Sequence, residues 1–356
     1  MSNASSASVP SNVTRYILIA VTLVALAVLI WKLTIVFILA FGGVVVATVL
    51  QAGAEPLARR TGWSHRISLS VVILAMLVLA MVTFWLFGRQ AVNQFNEMRE
   101  QLFAAFEKFK EWIVESPTGK SLFDSVRQAA EDGTPLSSAG VAVGATLEGV
   151  GHLLLIIFVG IYLAADPGMY REGGLRLLPP ARRPQVRVAL NDAGIALRKW
   201  LLAQLLIMAA VGTMTGVGLA LIGVPLSLSL GLVAGLLEFI PVVGPILAAV
   251  PGVLLAFSAG PQSAAYAVLL YISVQQIESN ILTPLVQRWA VELPPVVALL
   301  SIVAAGLVFG VMGVIFATPM AVVVMALVRH LYVEDTLEKN RPTPEQARGR
   351  SREGAR

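Results

Sequence analysis

The chain contains no cysteine, which excludes disulfides and thiolate metal sites. Its three histidines, His65, His152 and His330, are scattered without ligand spacing, so neither a metal site nor a cofactor is expected. Charge is also scarce, at 13% of 356 residues against about 25% in a soluble domain. There is no Walker-type phosphate loop, which argues against an ATP-driven pump. No dinucleotide fingerprint follows a strand pattern, and no other soluble-enzyme motif is present. What the chain does have is apolar length. Hydrophobic residues make up 57% and mean hydropathy is +0.79, the composition of an integral membrane protein. The formal charge of +5 does not indicate a nucleic-acid partner, because the basic residues lie between apolar runs, where they set topology. The expected surroundings are the lipid bilayer.

Read along the chain, residues 1–14 are Ser/Asn-rich and expected to be disordered. Spans are expected over about 15–33 and 35–54, joined by a tight turn near Trp31-Lys32. The first apolar run is read as a retained span rather than a signal peptide, since no clean cleavage site follows it. A basic loop with Arg59, Arg60, His65 and Arg66 leads to a third span at about 67–88. Residues 89–140 carry an apolar stripe, Phe95, Met98, Leu102, Phe106, Phe109 and Ile113, at helical spacing. That predicts a long amphipathic helix outside the membrane, packed either on its own subunit or between subunits. A fourth span at about 145–164 stops at Asp166-Pro167. The stretch 166–199 is basic, with seven Lys/Arg against three acids. A fifth span follows at about 200–223 and a sixth at about 262–286. The tail 333–356 is polar, Arg-rich and expected to be disordered.

Two segments are apolar yet interrupted. Residues 224–258 are broken by Pro241, Gly244 and Pro245, with Glu238 just before the break. Neither half comfortably reaches the roughly 20 residues of a spanning helix, so two half-helices meeting at a turn are predicted. Irregular backbone at membrane depth requires surrounding protein or a water-filled cavity, and broken helices often mark the site of a secondary transporter. Residues 294–331 are the second such segment, hinged around Gly306, Gly310 and Gly313, with Pro319 beyond; they form either a re-entrant hairpin or two short spans. A shift of 69 places lays Pro225 on Pro294, Gly244 on Gly313 and Ala248 on Ala317, a weak internal repeat of the kind an inverted pair of hairpins would leave.

Glu238 and Glu278 are the two acids set most clearly within apolar segments. A charge there is costly and usually faces a cavity or a partner, and an acid so placed suits proton uptake and release. Helical spacing puts Gln275, Glu278 and Thr283 on one side of their span, with Gln276 and Asn280 on the next and Pro284 after them. That polar face lines a path or clamps a neighbouring helix. Pro241, Gly244 and Pro245 either free backbone groups for a ligand or simply kink the chain. Trp31, Trp63, Tyr162, Trp200 and Tyr332, near span ends, read as interfacial belts.

Several of these residues together resemble the autoinducer-2 exporter family of bacterial permeases. They are Glu238-Phe-Ile-Pro241-Val-Val-Gly244-Pro245, then Gln276-Ile-Glu278-Ser-Asn280 through Thr283-Pro284, then Leu293-Pro294-Pro295, then Gly306, Gly310, Gly313 and Pro319. Weaker echoes lie in Pro56-Leu57, Arg60, Gly62 and Arg66, and in Tyr162-Leu163 with Asp166. The resemblance covers about 15–332. It departs after Pro284, where the family often carries a glycine and this chain reads Leu285-Val286-Gln287-Arg288-Trp289. It implies a secondary transporter of the bacterial inner (cytoplasmic) membrane, a homo-oligomer with a pentamer favoured, and elevator-like movement of the hairpin-bearing part. It also implies that Glu238, Pro241, Gly244, Pro245, Gln276, Glu278, Asn280 and Pro284 line the transport site.

The expected architecture is therefore an all-α polytopic membrane protein with about six full transmembrane helices and two interrupted, re-entrant helical hairpins. Residues 15–165 form the scaffold, with 89–140 outside the membrane. Residues 166–199 form a basic cytoplasmic loop and helix, and 200–332 form the transport region. Both termini are expected to be cytoplasmic. The expected function is proton-coupled export of a small polar molecule such as autoinducer-2. Sodium(lithium)/proton antiport and a non-transporting scaffold or sensor remain the alternatives.

Overall fold

In a computed structural model of the chain, residues 11–78, 81–82, 100–101, 104, 108, 139–287 and 293–331 are described; the expectations for 89–99, 109–138, Arg288, Trp289 and the tail 333–356 fall outside them. All regular structure among the described residues is helical. Three stretches are long and apolar enough to cross a membrane: Lys32–Thr61, Pro180–Ile222 and Pro295–Leu331. Shorter apolar helices accompany them.

Helix α1 runs unbroken over Ser11–Thr61, so the expected turn at Trp31-Lys32 is absent. The reason is local: residues 11–41 contain no glycine or proline, and a lone lysine does not stop a helix. At about 1.5 Å per residue its 51 residues exceed twice the roughly 30 Å hydrocarbon thickness. Ile19, Leu23, Leu26, Leu29, Val36 and Phe37 are exposed among the described residues, whereas Ile38, Leu39 and Val45 are buried. A short helix, α2, follows at His65–Val78.

Helix α3 (Ala139–Ala165) packs along α1. Gly43 and Gly160 let the two backbones approach, since a Cβ on either would strike Val159 or Val46 of the partner helix. Asp166 ends α3 and caps α4 (Pro167–Arg176), its Oδ1 accepting from the Met169 amide at 3.0 Å, and the chain turns by 89° there. After a short 3-10 turn at Pro180–Arg182, α5 (Arg183–Ile222) crosses the molecule. Gly223, at φ 81°, closes α5 in the left-handed region that glycine favours.

The first interrupted segment is a pair of half-helices, α6 (Ser227–Leu237) and α7 (Val243–Ser258). Helix α8 (Pro261–Ile277) follows, widens into a π turn at Glu278–Leu282 and continues as α9 (Thr283–Gln287). The second interrupted segment, α10 (Pro295–Val328), reverses at Gly310, whose φ of 63° and ψ of −146° are non-helical. Its two arms fold back on each other, with Ile302 and Ala305 of one arm clustered with Ala317 of the other. Of the expected hinge residues, only Gly310 leaves the helical conformation. Gly313 sits where a Cβ would collide with the Ala305 carbonyl, Gly306 faces Val314, and Pro319 is buried within the second arm.

The two tips meet. Phe239 of the first packs against a cluster holding Phe316 and Phe309, and Val243 packs with Phe309 and Ala305 of the second. Trp200 is part of this core, 8% exposed, with its ring edge-on to Phe239 at 5.9 Å. It is not an interfacial belt residue, because α5 starts well before the expected span and carries Trp200 into the interior. Trp63 and Tyr162 are 48% and 66% exposed.

One ion pair ties α1 to α5: Arg198 donates to Glu55, and its second terminal nitrogen donates to the Ala52 carbonyl at 3.3 Å. Both side chains are only half-buried, so solvent screens the pair. Arg198→Ala is expected to cost at most about 1 kcal/mol, read as a drop of a few degrees in the thermal midpoint of the detergent-solubilised protein. A larger loss would mean that the pair is shielded from solvent.

Candidate functional site

The break between α6 and α7 is a tight, strained turn. The Val243 amide donates to the Pro241 carbonyl at 2.9 Å, with Val242 between them at φ 71°, ψ −50°. This is a γ-turn of the rare, strained hand, occupied by a β-branched residue. Strain of this kind costs about 1–3 kcal/mol and persists only where surrounding packing enforces it. Here the enforcement comes from Gly244. A Cβ there would run into the Leu237 carbonyl, so the two half-helices approach as closely as backbone allows. The amides of Glu238, Phe239 and Ile240 bond to the α6 carbonyls of Ala234, Leu236 and Leu237, and the Gly244 amide bonds to the Ile240 carbonyl. The break therefore presents side chains, rather than those amides, to its surroundings.

Glu238 is the side chain it buries, at 2% exposed. Its carbonyl oxygen accepts from Gln204 Nε2 of α5 at 2.6 Å, which fixes the turn against α5. Its carboxyl oxygen Oε2 has no hydrogen-bond partner. Beside it is a cavity of about 10 Å³ lined by Val211, Thr215, Glu238, Pro245, Tyr271, Gln275 and Glu278, among others. Four elements converge on that space: α5, the α6–α7 tip, α8 and the π turn. Glu278 opens the π turn, and π turns are frequent at functional sites. Gln275 Nε2 donates to its carboxylate, and Thr283 also hydrogen-bonds it. The electrostatics are those of two carboxyl groups on one small space, with no cation lining it among the described residues. Among the described residues, no group of three or more His, Asp or Glu side chains converges on a point a metal could occupy.

Of the residues singled out from sequence, Glu238, Pro245, Gln275 and Glu278 line this one cavity, and Thr283 reaches it through Glu278. Pro241 and Gly244 shape the turn. Gln276 and Asn280 bond to each other at 2.8 Å on the exposed face of α8 and the π turn, and Pro284 is exposed as well. Those three are not among the residues that line the cavity; Gln276, one residue past Gln275, already lies on the adjacent face of α8, and Asn280 follows it four residues on. Three further residues come to the site from elsewhere: Gln204, Thr215 and Tyr271. Only Gln204, the single amide of the apolar stretch 200–222, stands out in the sequence.

Comparison with known proteins places the chain. A family model described as AI-2E family transporter matches residues 17–333. YueF of Bacillus subtilis strain 168 is 30% identical over 219 residues, 61% of this chain and 58% of that protein. YrrI of the same organism is 29% identical over 199 residues, 54% of this chain and 56% of its own length. MT0215 of Mycobacterium tuberculosis is 25% identical over 314 residues, 86% and 85% of the two chains. The chain thus spans little more than half the length of the two Bacillus relatives. All three carry names that propose a transport role. The helical architecture, the apolar spans and a match over nearly the whole chain make it a member of the AI-2E transporter family.

Proposed function

We propose that this chain is a secondary transporter that exports a small polar molecule such as autoinducer-2 and couples that export to proton movement. One observation carries the reading: Glu238 of the α6–α7 turn and Glu278 of the π turn share one small cavity at the tip of a broken helix. An acid at membrane depth is costly to bury. Two on one cavity make a site that changes protonation as it opens to either side. Gln275, Thr283, Pro241, Gly244 and Pro245 shape that site, and Gln276, Asn280 and Pro284 are assigned to the path beside it.

The membrane is the bacterial inner membrane, with both termini cytoplasmic. Charge supports this orientation: the 55–66, 166–199 and tail stretches are basic, while 89–140 has six Lys/Arg against eight acids. About six full spans and two re-entrant hairpins meet that assignment. The 200–332 region moves as an elevator-like unit against a scaffold within a homo-oligomer, a pentamer by family resemblance. Close backbone packing of α6 on α5 supports their moving as one body.

The test uses purified protein in proteoliposomes loaded with autoinducer-2, with release followed under an imposed proton gradient. Glu278→Gln is expected to reduce gradient-driven release to the protein-free level while the oligomer stays folded. Unchanged release would sink the role of Glu278. A second reading, sodium(lithium)/proton antiport, is favoured by the size of the cavity, which fits an ion and not an organic molecule. Sodium-dependent proton flux in vesicles without autoinducer-2 would select it.

A further inference from the structure

Three oxygens around the Glu238 cavity are buried without a hydrogen-bond partner: Glu238 Oε2, Thr215 Oγ1 and Tyr271 Oη. All three side chains line that same space of about 10 Å³. Buried polar atoms are nearly always paired, so three unpaired ones around one small cavity need a common explanation. Thr215 had an easy alternative. Thr213, Ser273 and Ser279 each satisfy their hydroxyl by bonding to the carbonyl four residues back, at 2.7–2.8 Å. Thr215, 1% exposed, does not. Tyr271 reaches its position only because α7 leaves a notch: a Cβ on Gly252 would collide with the phenol. The phenol oxygen is thereby delivered to a place where no protein group receives it.

We propose that a single buried water occupies this cavity, held by Thr215, Tyr271 and Glu238, and that it passes a proton between Glu238 and Glu278. The volume suits one particle of that size, and a buried water commonly makes two to four hydrogen bonds. As donor and acceptor at once, it satisfies both hydroxyls and the free carboxyl oxygen. In the transfer, protonated Glu238 gives its proton to the water. The water releases one of its own to the Glu278 carboxylate and is regenerated. Thr215 and Tyr271 are positioning residues: they hold the water and take no part in the proton's net movement. The relay rests on the reading of Glu238 and Glu278 as the coupling acids; the water's place does not.

The experiment joins a high-resolution structure of the full chain in sodium-free buffer with flux measurements on variants. A single density peak is expected within hydrogen-bond distance of all three oxygens, and it should be lost in Thr215→Val and in Tyr271→Phe. Proton-driven release should fall roughly tenfold or more in both. Thr215→Ser, which keeps the hydroxyl, should restore peak and flux, a recovery that mere packing would not produce. An empty cavity in the wild-type protein overturns the proposal, as does a peak that forms only when sodium is added. A peak with unchanged flux in the Val and Phe variants overturns the relay. If Glu278→Gln leaves transport intact while the peak remains, the coupling assignment fails and the water's place is supported.

Discussion

Gly231→Val is expected to abolish the folded protein. Helix α6 lies on α5 through four glycines, Gly212 and Gly216 on one side and Gly231 and Gly235 on the other. A Cβ at Gly231 would stand 2.5 Å from the Gly216 Cα and 2.7 Å from the Gly212 carbonyl oxygen. Those are backbone atoms, and no side-chain rotation relieves the collision. Within a bilayer, helix association has little hydrophobic drive and depends on such close approach. Inserting bulk into a well-packed contact costs about 1–3 kcal/mol where neighbours can shift, and here they cannot. The variant should lose its monodisperse peak in size-exclusion chromatography after detergent extraction. Gly149→Ala is the control, since nothing lies within 4 Å of the added carbon, and it should elute as wild type. A normal Gly231→Val profile would mean that α6 does not rest on α5. The idea that the first hairpin and α5 travel together would then fail as well.

Glu238→Leu is expected to separate stability from transport. The carboxyl is buried, and taking a carboxyl out of water is costly even when it finds a partner. Replacing it with an apolar side chain of similar volume removes that cost, and such exchanges are commonly neutral or stabilising. The Gln204 bond is kept, because it goes to the main-chain carbonyl of residue 238. The thermal midpoint should therefore hold or rise, while gradient-driven release falls to the level of empty vesicles. If Glu238 instead served only as a clamp between helices, the midpoint would fall and residual transport would track the amount of folded protein. The paired readouts distinguish a carboxyl kept for chemistry from one kept for packing.

The break at Pro241 and the reversal at Gly310 were legible from residues 224–258 and 294–331, because proline and glycine act locally on the backbone. Gly244 and Gly313, aligned by the shift of 69 places, both sit where a Cβ would strike a carbonyl of the preceding arm. Glu238 and Glu278 stood out as acids in apolar runs. The length of α1 was misread because a lysine beside a tryptophan looks like a loop, yet nothing there interrupts the hydrogen bonding of a helix. Trp200 was misread for the opposite reason: its position near a span end says nothing about which neighbours cover it.

The sequence by itself determined that this is a helical membrane chain, where its two interrupted segments break, and which two acids are out of place in it. These follow from composition and from short-range backbone chemistry. Only the tertiary structure decided that Glu238 and Glu278 share one cavity. It also decided that Thr215 and Tyr271 close that cavity. Helical spacing can place residues on one face of a helix. Which face meets which is set by packing between helices tens of residues apart.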